Sequence, residues 1–126
     1  MKILLDTHIL LWWMAGDRRL QARARAPIED PTNRIFVSMA SLWETAIKFG
    51  LRRVIADPEE LRDAAERDGF SLLPIEARHC AAVARLPQHH SDPFDRMLVA
   101  QALVEPLRLI THDAQLARYS DTVIVV

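Results

Sequence analysis

The segment His90-Ser91-Asp92-Pro93-Phe94-Asp95-Arg96, with the apolar run behind it, restricts the possible folds of this chain more than any other. Asp92 is a natural N-cap, Pro93 suits the first helical position and Pro106 ends the element. Between them lie Met97, Leu98, Val99, Ala100, Ala102, Leu103 and Val104, with only Gln101 and Glu105 polar. A helix apolar on nearly every side must be buried over most of its circumference. Its first turn nevertheless carries two carboxylates, Asp92 and Asp95. Capping of the orphan amides accounts for Asp92. It accounts less well for Asp95, because the cap has already taken the nearest donors, which leaves a bound cation as the other explanation.

Composition bounds the rest. The chain has 126 residues, enough for one domain with a core and too few for two, so residues 1–126 are expected to form a single domain. Half the residues are hydrophobic and 26% are charged, with a net charge of −1. No global positive field points to nucleic acid, although a local basic rim is compatible with that balance. The one cysteine, Cys80, excludes an intramolecular disulfide and reads as a small buried hydrophobe. The apolar start Ile3-Leu4-Leu5 is interrupted by Asp6 too early for a signal peptide, and Ile9 to Ala15 is too short to span a bilayer. A cytoplasmic protein without membrane contact is expected.

Taken in order, Ile3-Leu4-Leu5 reads as a strand buried on both faces, and His8 to Ala15 as a helix stopped by Gly16. Asp17 to Ala26 reads as a short basic helix, with Pro27 and Pro31 bracketing a loop. Arg34 to Ser38 is a second strand, and the helix after it, closing at Gly50, is expected to bury Met39, Leu42, Trp43, Ala46 and Ile47. Asp57-Pro58 opens another helix and Gly69 closes it. Phe70 to Ile75 is a third strand, placed at a sheet edge by Pro74. A helix over Glu76 to Leu86 and the Asp92 helix follow. Leu107 to Thr111, a short helix over Ala114 to Arg118, and a strand over Thr122 to Val126 close the chain. This alternation predicts an α/β fold: a mostly parallel five-stranded sheet with helices on both faces.

Four acids then stand out. Asp6 and Asp113 each end a buried strand, Asp95 opens the helix leading into the fourth strand, and Glu44 lies one turn into the helix after the second. Open parallel sheets bind ligands outside the carboxyl ends of their strands, where strand order reverses. Asp6 and Asp113 meet there if the first and fourth strands are neighbours. Each acid has an ordinary alternative: Asp6 and Asp113 as caps, Glu44 as a capping-box partner of Ser41 or an ion-pair partner of Lys48. Convergence favours a cation, since clustered acids repel and bind protons or metal to relieve it. Oxygen donors suit Mg²⁺ or Mn²⁺, and His8, His89, His90 and His112 form no ligand pair at a usual zinc spacing. Such a site suits phosphodiester hydrolysis, with one ion or two roughly 3.5–4 Å apart. With only Gly16, Gly50 and Gly69 there is no phosphate-binding glycine loop.

These residues resemble a family. Leu4-Leu5-Asp6-Thr7-His8, Ser41-x-Trp43-Glu44-x-x-x-Lys48, His90-x-Asp92-Pro93-Phe94-Asp95-Arg96 and Leu109-Ile110-Thr111-His112-Asp113 are similar to the four acidic motifs of PIN-domain proteins, over nearly the whole chain. The resemblance implies a toxin of the VapC type from a VapBC toxin–antitoxin pair: a Mg²⁺- or Mn²⁺-dependent endoribonuclease, usually a homodimer, held inactive by a small VapB-type antitoxin. Carried over by position, the catalytic and metal-site acids are Asp6, Glu44, Asp95 and Asp113, and the substrate is RNA. Arg18, Arg19, Arg23, Arg25, Lys48, Arg52 and Arg53 are available as a rim for its backbone. The competing reading is a PIN-like fold that acts by binding protein, with little or no catalysis. A receiver domain is excluded, because the third strand, Ser71-Leu72-Leu73-Pro74-Ile75, ends without a phosphoacceptor Asp.

Overall fold

Hydrophobic strands buried on both faces need helices above and below them, and the computed structural model, which describes residues 1–126, has that arrangement. Strands β1 (Lys2–Leu5), β2 (Arg34–Ser38), β3 (Ser71–Leu73), β4 (Arg108–Thr111) and β5 (Val123–Val125) form one sheet in the order β3-β2-β1-β4-β5. Every pair is parallel. The helices are α1 (Thr7–Ala15), α2 (Ala22–Glu29), α3 (Met39–Gly50), α4 (Pro58–Arg67), α5 (Ala77–Ala84) and α6 (Pro93–Val104), with a 3₁₀ turn over Ala114–Arg118. Alternate side chains of β1 serve opposite cores. Ile3 and Leu5 pack with Ile9, Leu10, Leu61 and Ile110 on one face; Leu4 packs with Leu98, Val99, Leu109 and Leu116 on the other. The chain leaves the central strand β1 first toward β2 and β3, then returns to build β4 and β5 on its far side. The β1/β4 boundary is therefore the point where strand order reverses.

Local signals act as the residue types dictate. Asp92 accepts from the amides of Phe94 and Asp95, capping α6, and Asp57 caps α4 through Glu59. Gly16 ends α1 at φ 61°, a left-handed conformation that a side chain disfavours. β3 lies at the sheet edge, as Pro74 requires, but it is shorter than expected: Phe70, Pro74 and Ile75 fall outside it.

Three expectations are corrected. The basic helix does not run from Asp17 to Ala26; α2 spans Ala22–Glu29 and contains Pro27. Burial of Ala24 and Ile28, four residues apart on one face, holds the helix through the proline at the loss of one backbone bond. On α3 the buried residues are Ala40, Ser41, Glu44 and Thr45, while Trp43 and Ile47 are 60% and 41% exposed. That helix turns its small polar face inward: the Thr7 hydroxyl donates to Ser41 Oγ at 2.9 Å, and the Thr45 hydroxyl to the Ser41 carbonyl at 2.8 Å. Cys80 is exposed rather than buried, because α5 sinks His79 instead.

Gln101, the single polar residue in the middle of α6, is fully buried and ties the layers together. Its Oε1 accepts from the Ser38 hydroxyl at 2.5 Å, and its Nε2 donates to the Pro74 carbonyl at 3.2 Å. Gln101→Leu removes both bonds and leaves the buried Ser38 O–H without an acceptor, so urea denaturation is expected to show a loss of about 1–3 kcal/mol. An unchanged unfolding midpoint would mean that these bonds contribute nothing.

Candidate active site

Asp6 follows β1 and begins α1, so its carboxylate lies at the carboxyl edge of the central strand. It is nearly fully buried, yet both oxygens are satisfied: Oδ1 accepts from the His8 amide at 2.8 Å and Oδ2 from the Thr111 hydroxyl at 2.7 Å. Thr111 ends β4, and its Oγ1 in turn accepts from the Asp113 amide at 3.0 Å. One hydroxyl thereby links the acids that leave the two neighbouring strands. Asp113 caps the 3₁₀ turn through Oδ1, which accepts from Gln115 N–H, and its Oδ2 lies 2.8 Å from His90 Nε2. Capping and site-building are thus done by different oxygens of the same side chain.

Asp95 occupies the first turn of α6, where the Asp92 cap holds its amide at 3.1 Å. Its carboxylate accepts no hydrogen bond within the chain; His90 Nε2 stands 3.6 Å from Oδ2, too far for one. Burial pushes its pKa up to about 7, with the charges of Asp6, Asp92 and Glu44 adding to the rise and His90 opposing it. Asp6, Asp95 and Asp113 line a single open cleft of about 380 Å³ together with His8, Trp12, Arg19 and His112. His8 has its pKa raised mainly by Asp6, whose carboxylate faces the ring at 3.8 Å, a distance of charge attraction rather than of a formed hydrogen bond. Burial works against that rise.

Glu44 sits behind the cleft rather than in its lining. Its Oε2 accepts from Lys48 Nζ at 2.8 Å, the helical pairing its spacing allows, while Oε1 is buried without any partner. An orphaned carboxylate oxygen and a half-buried, unbonded carboxyl whose pKa that neighbour helps to raise are what a missing positive charge leaves behind. The donors are oxygens, as a hard divalent ion prefers: of the four acids expected from the sequence, Asp95 and Asp113 offer atoms within 4.8 Å of each other, Asp6 lines the same cleft, and Glu44 does not. His90 was expected to fix the turn before Asp92, as its Nδ1 does by accepting the Asp92 amide, but its contact with Asp113 was missed. It stands 23 positions from Asp113, so no spacing rule connects them, and its ring nitrogen with the oxygens of Asp95 and Asp113 forms a group lying within 4.8 Å. The other such group, Glu76, His79 and Glu105, is already bridged by Arg78, which bonds both glutamates, and serves to join α5 to α6.

The comparisons with known proteins agree with this architecture. The PIN domain model matches residues 3–121. Ribonuclease VapC22 of Mycobacterium tuberculosis is 31% identical over 118 residues, which cover 90% of this chain and 88% of that protein. A stretch of 98 residues is also 32% identical to 1-deoxy-D-xylulose 5-phosphate reductoisomerase of Pseudomonas aeruginosa; it covers 71% of this chain but 25% of that enzyme, whose activity is not carried over. Among solved structures, a toxin–antitoxin complex from Klebsiella pneumoniae superposes with a TM-score of 0.68 at 22% identity, covering 98% of this chain and 96% of that one. VapBC2 from Rickettsia felis, bound to a DNA fragment from its promoter, gives 0.67 at 17% identity with 100% and 98% covered. At those identities the structural likeness is one of fold. The family model spans residues 3–121 and a relative 31% identical aligns over nine-tenths of the chain, so the chain belongs to the PIN domain family.

Proposed function

We propose that this chain is a divalent-metal-dependent endoribonuclease acting as the toxin of a type II toxin–antitoxin pair, with catalysis at the cleft of Asp6, Asp95 and Asp113. The observation that carries this reading is the shortage of positive charge around two carboxylates: half-buried Asp95 without a hydrogen bond and buried Glu44 Oε1 without a partner. Asp6, Asp95 and Asp113, with Glu44 behind them, would hold Mg²⁺ or Mn²⁺. When bound, the cation supplies positive charge against the phosphate and acidity for the attacking water. The chain's own residues do the rest. Thr111 and the α1 amide orient Asp6, Lys48 neutralises part of Glu44, and Arg19, held by Asp17 through Nε and Nη2, keeps Nη1 uncommitted at the cleft wall for a phosphate oxygen. Arg23 continues the positive wall in an adjoining depression beside Trp12 and His112. RNA as substrate is supported by the relative named a ribonuclease.

The partner reading rests on surface as well as on relatives that are toxin–antitoxin complexes. Trp43, Leu51 and Ile55 are 60%, 58% and 98% exposed, more apolar surface than scattered residues require, and a VapB-type antitoxin would cover it. A homodimer belongs to the same reading. Trp12, Trp13 and Met14 are largely committed to the chain's own core, with Trp13 Nε1 bonded to Asp68 at 3.0 Å, so α1 offers such a contact less surface than its sequence suggests. We place the activity in the cytoplasm, where RNA is available; no helix here is long and apolar enough to cross a membrane.

The decisive experiment is an RNA cleavage assay with each metal. Mg²⁺ and Mn²⁺ are expected to support cleavage and Ca²⁺ to do so poorly, since its coordination is larger and looser. Full activity in excess EDTA would refute the metal, and absence of cleavage with every ion would leave the protein-binding reading. Asp6→Asn should lower cleavage by more than about 100-fold. The metal-free variant keeps the α1 cap and loses one repelling charge, while the Thr111 hydroxyl meets an amide N–H in place of its acceptor, so these offset and its melt should change little. A variant that still cuts RNA would remove Asp6 from the mechanism.

The pH dependence follows from Asp95. Its carboxyl titrates at 3.8 when unfolded and at about 7 when folded, so between these values the folded chain holds one proton more than the unfolded chain. Stability of the metal-free protein should therefore fall as pH rises through that window, and Asp95→Asn should flatten the fall. Mn²⁺ affinity should move oppositely, rising with pH toward 7 as the competing proton leaves. A metal-free melting profile that climbs from pH 4 to pH 7 in the parent and the variant alike would refute this assignment.

A further inference from the structure

We propose that His90 is a positioning residue that fixes the Asp113 carboxylate through Nε2–H, and that it is not itself a ligand of the cation. The proposal rests on the metal-site reading above and adds a role for a residue that reading does not use. The ring's lone pair decides its role. The Asp92 amide lies 3.0 Å from His90 Nδ1. A backbone N–H can only donate, so Nδ1 carries the ring's lone pair and the proton of the neutral imidazole sits on Nε2. That nitrogen faces Asp113 Oδ2 at 2.8 Å and donates to it. Protonating the ring would take away the acceptor of the Asp92 amide, and exposing a lone pair on Nε2 would require the proton to move to Nδ1, against the same amide. Neither change offers Nε2 to a metal while the turn is intact.

The turn is held from elsewhere, which is why His90 can serve as a fixed post. Arg96, buried on α6 without a carboxylate partner, donates to the carbonyls of Val83 and Pro87 at 3.1 and 2.9 Å and to the Tyr119 hydroxyl at 3.2 Å. It anchors the start of the loop that brings His90 over the cleft. At the far end, Asp92 is fixed as the α6 cap. Asp113 then has one oxygen held by the Gln115 amide and the other by His90, which leaves a second lone pair on each oxygen. A ligating carboxylate held in this way loses little freedom on binding a cation.

The test uses Mn²⁺ alone as the probe, with the full chain. Affinity is read by electron paramagnetic resonance on the parent, His90→Asn and His90→Gln, and spin-echo modulation reports any nitrogen bound directly to the ion. Asn keeps an acceptor where Nδ1 stands but has no donor at the Nε2 position; Gln carries an amide N–H there. The parent spectrum is expected to show no directly bound nitrogen. His90→Asn should weaken Mn²⁺ binding by about 10- to 100-fold with an unchanged metal-free melt, and His90→Gln should recover most of the loss. Direct nitrogen coupling in the parent would overturn the proposal, as would parental affinity in His90→Asn or an equal loss in both variants. If His90→Asn melts low, the parent spectrum and His90→Gln still decide. A parent that binds no Mn²⁺ would overturn the metal reading beneath it, an outcome distinct from the others.

Discussion

The pairing of β1 with β4 is the contact on which the rest of this molecule depends. It sets Leu4 beside Leu109 and Leu5 beside Ile110, and it continues past the strand ends, where the Asp6 amide donates to the Ile110 carbonyl at 3.0 Å. The two strands are more than a hundred residues apart in the chain, and their junction is where helices diverge from the sheet in opposite senses. That divergence opens a cleft at one edge only, and the acids leaving both strands have to share it.

Sharing it is electrostatically unfavourable. Carboxylates gathered in a partly desolvated cleft repel one another, and the structure offsets this with a dense set of directed donors: two helix-start amides, one threonine hydroxyl, one lysine and one imidazole. What stays uncompensated is specific. Asp95 and Glu44 Oε1 are the groups the chain leaves short, and they are near enough for the charge of Glu44 to act on Asp95. Polar pairing elsewhere in the interior is nearly complete: Glu44 Oε1 is the one buried side-chain atom without a partner. The deficit is thus local to the functional edge, which is why it speaks for function rather than for a poorly packed core.

Histidine is used twice in the same way. His79 accepts from the Glu76 amide at Nδ1 and passes Nε2–H to Glu105 at 2.6 Å; His90 accepts from the Asp92 amide and faces Asp113. In each case a backbone amide fixes the tautomer, and the ring carries that constraint to a distant carboxylate. At Glu105 the result is a helix-to-helix tie; at Asp113 it is the orientation of a site residue. The surface follows a related logic. Because α3 turns Ser41, Glu44 and Thr45 inward to build the polar side of the site, its apolar residues are displaced outward, and Trp43 and Ile47 become the exposed stripe available to a partner.

Much of this was legible in the sequence, for local reasons. Strand-to-helix alternation, the caps at Asp57 and Asp92, the stops at Gly16 and Gly69 and the edge position of β3 all follow from side-chain chemistry acting within a few residues. The acids Asp6, Glu44, Asp95 and Asp113 were visible because each falls at the end of a strand or near the start of a helix. Where sequence reasoning failed, a distant contact had overruled a local preference. Burial of Ala24 and Ile28 carried α2 through Pro27, and α3 buries Glu44 and Thr45 while Trp43 and Ile47 face outward, with Met39, Leu42 and Ala46 half-buried between them. The local role of His90, fixing the turn before Asp92, was legible; its contact with Asp113 was not, because it exists only where the loop before α6 meets the end of β4. The sequence by itself determined which residues could carry charge, cap or bury. Tertiary structure alone decided which of them share a cleft, because repulsion, desolvation and tautomer choice depend on distances between segments that the chain order leaves open.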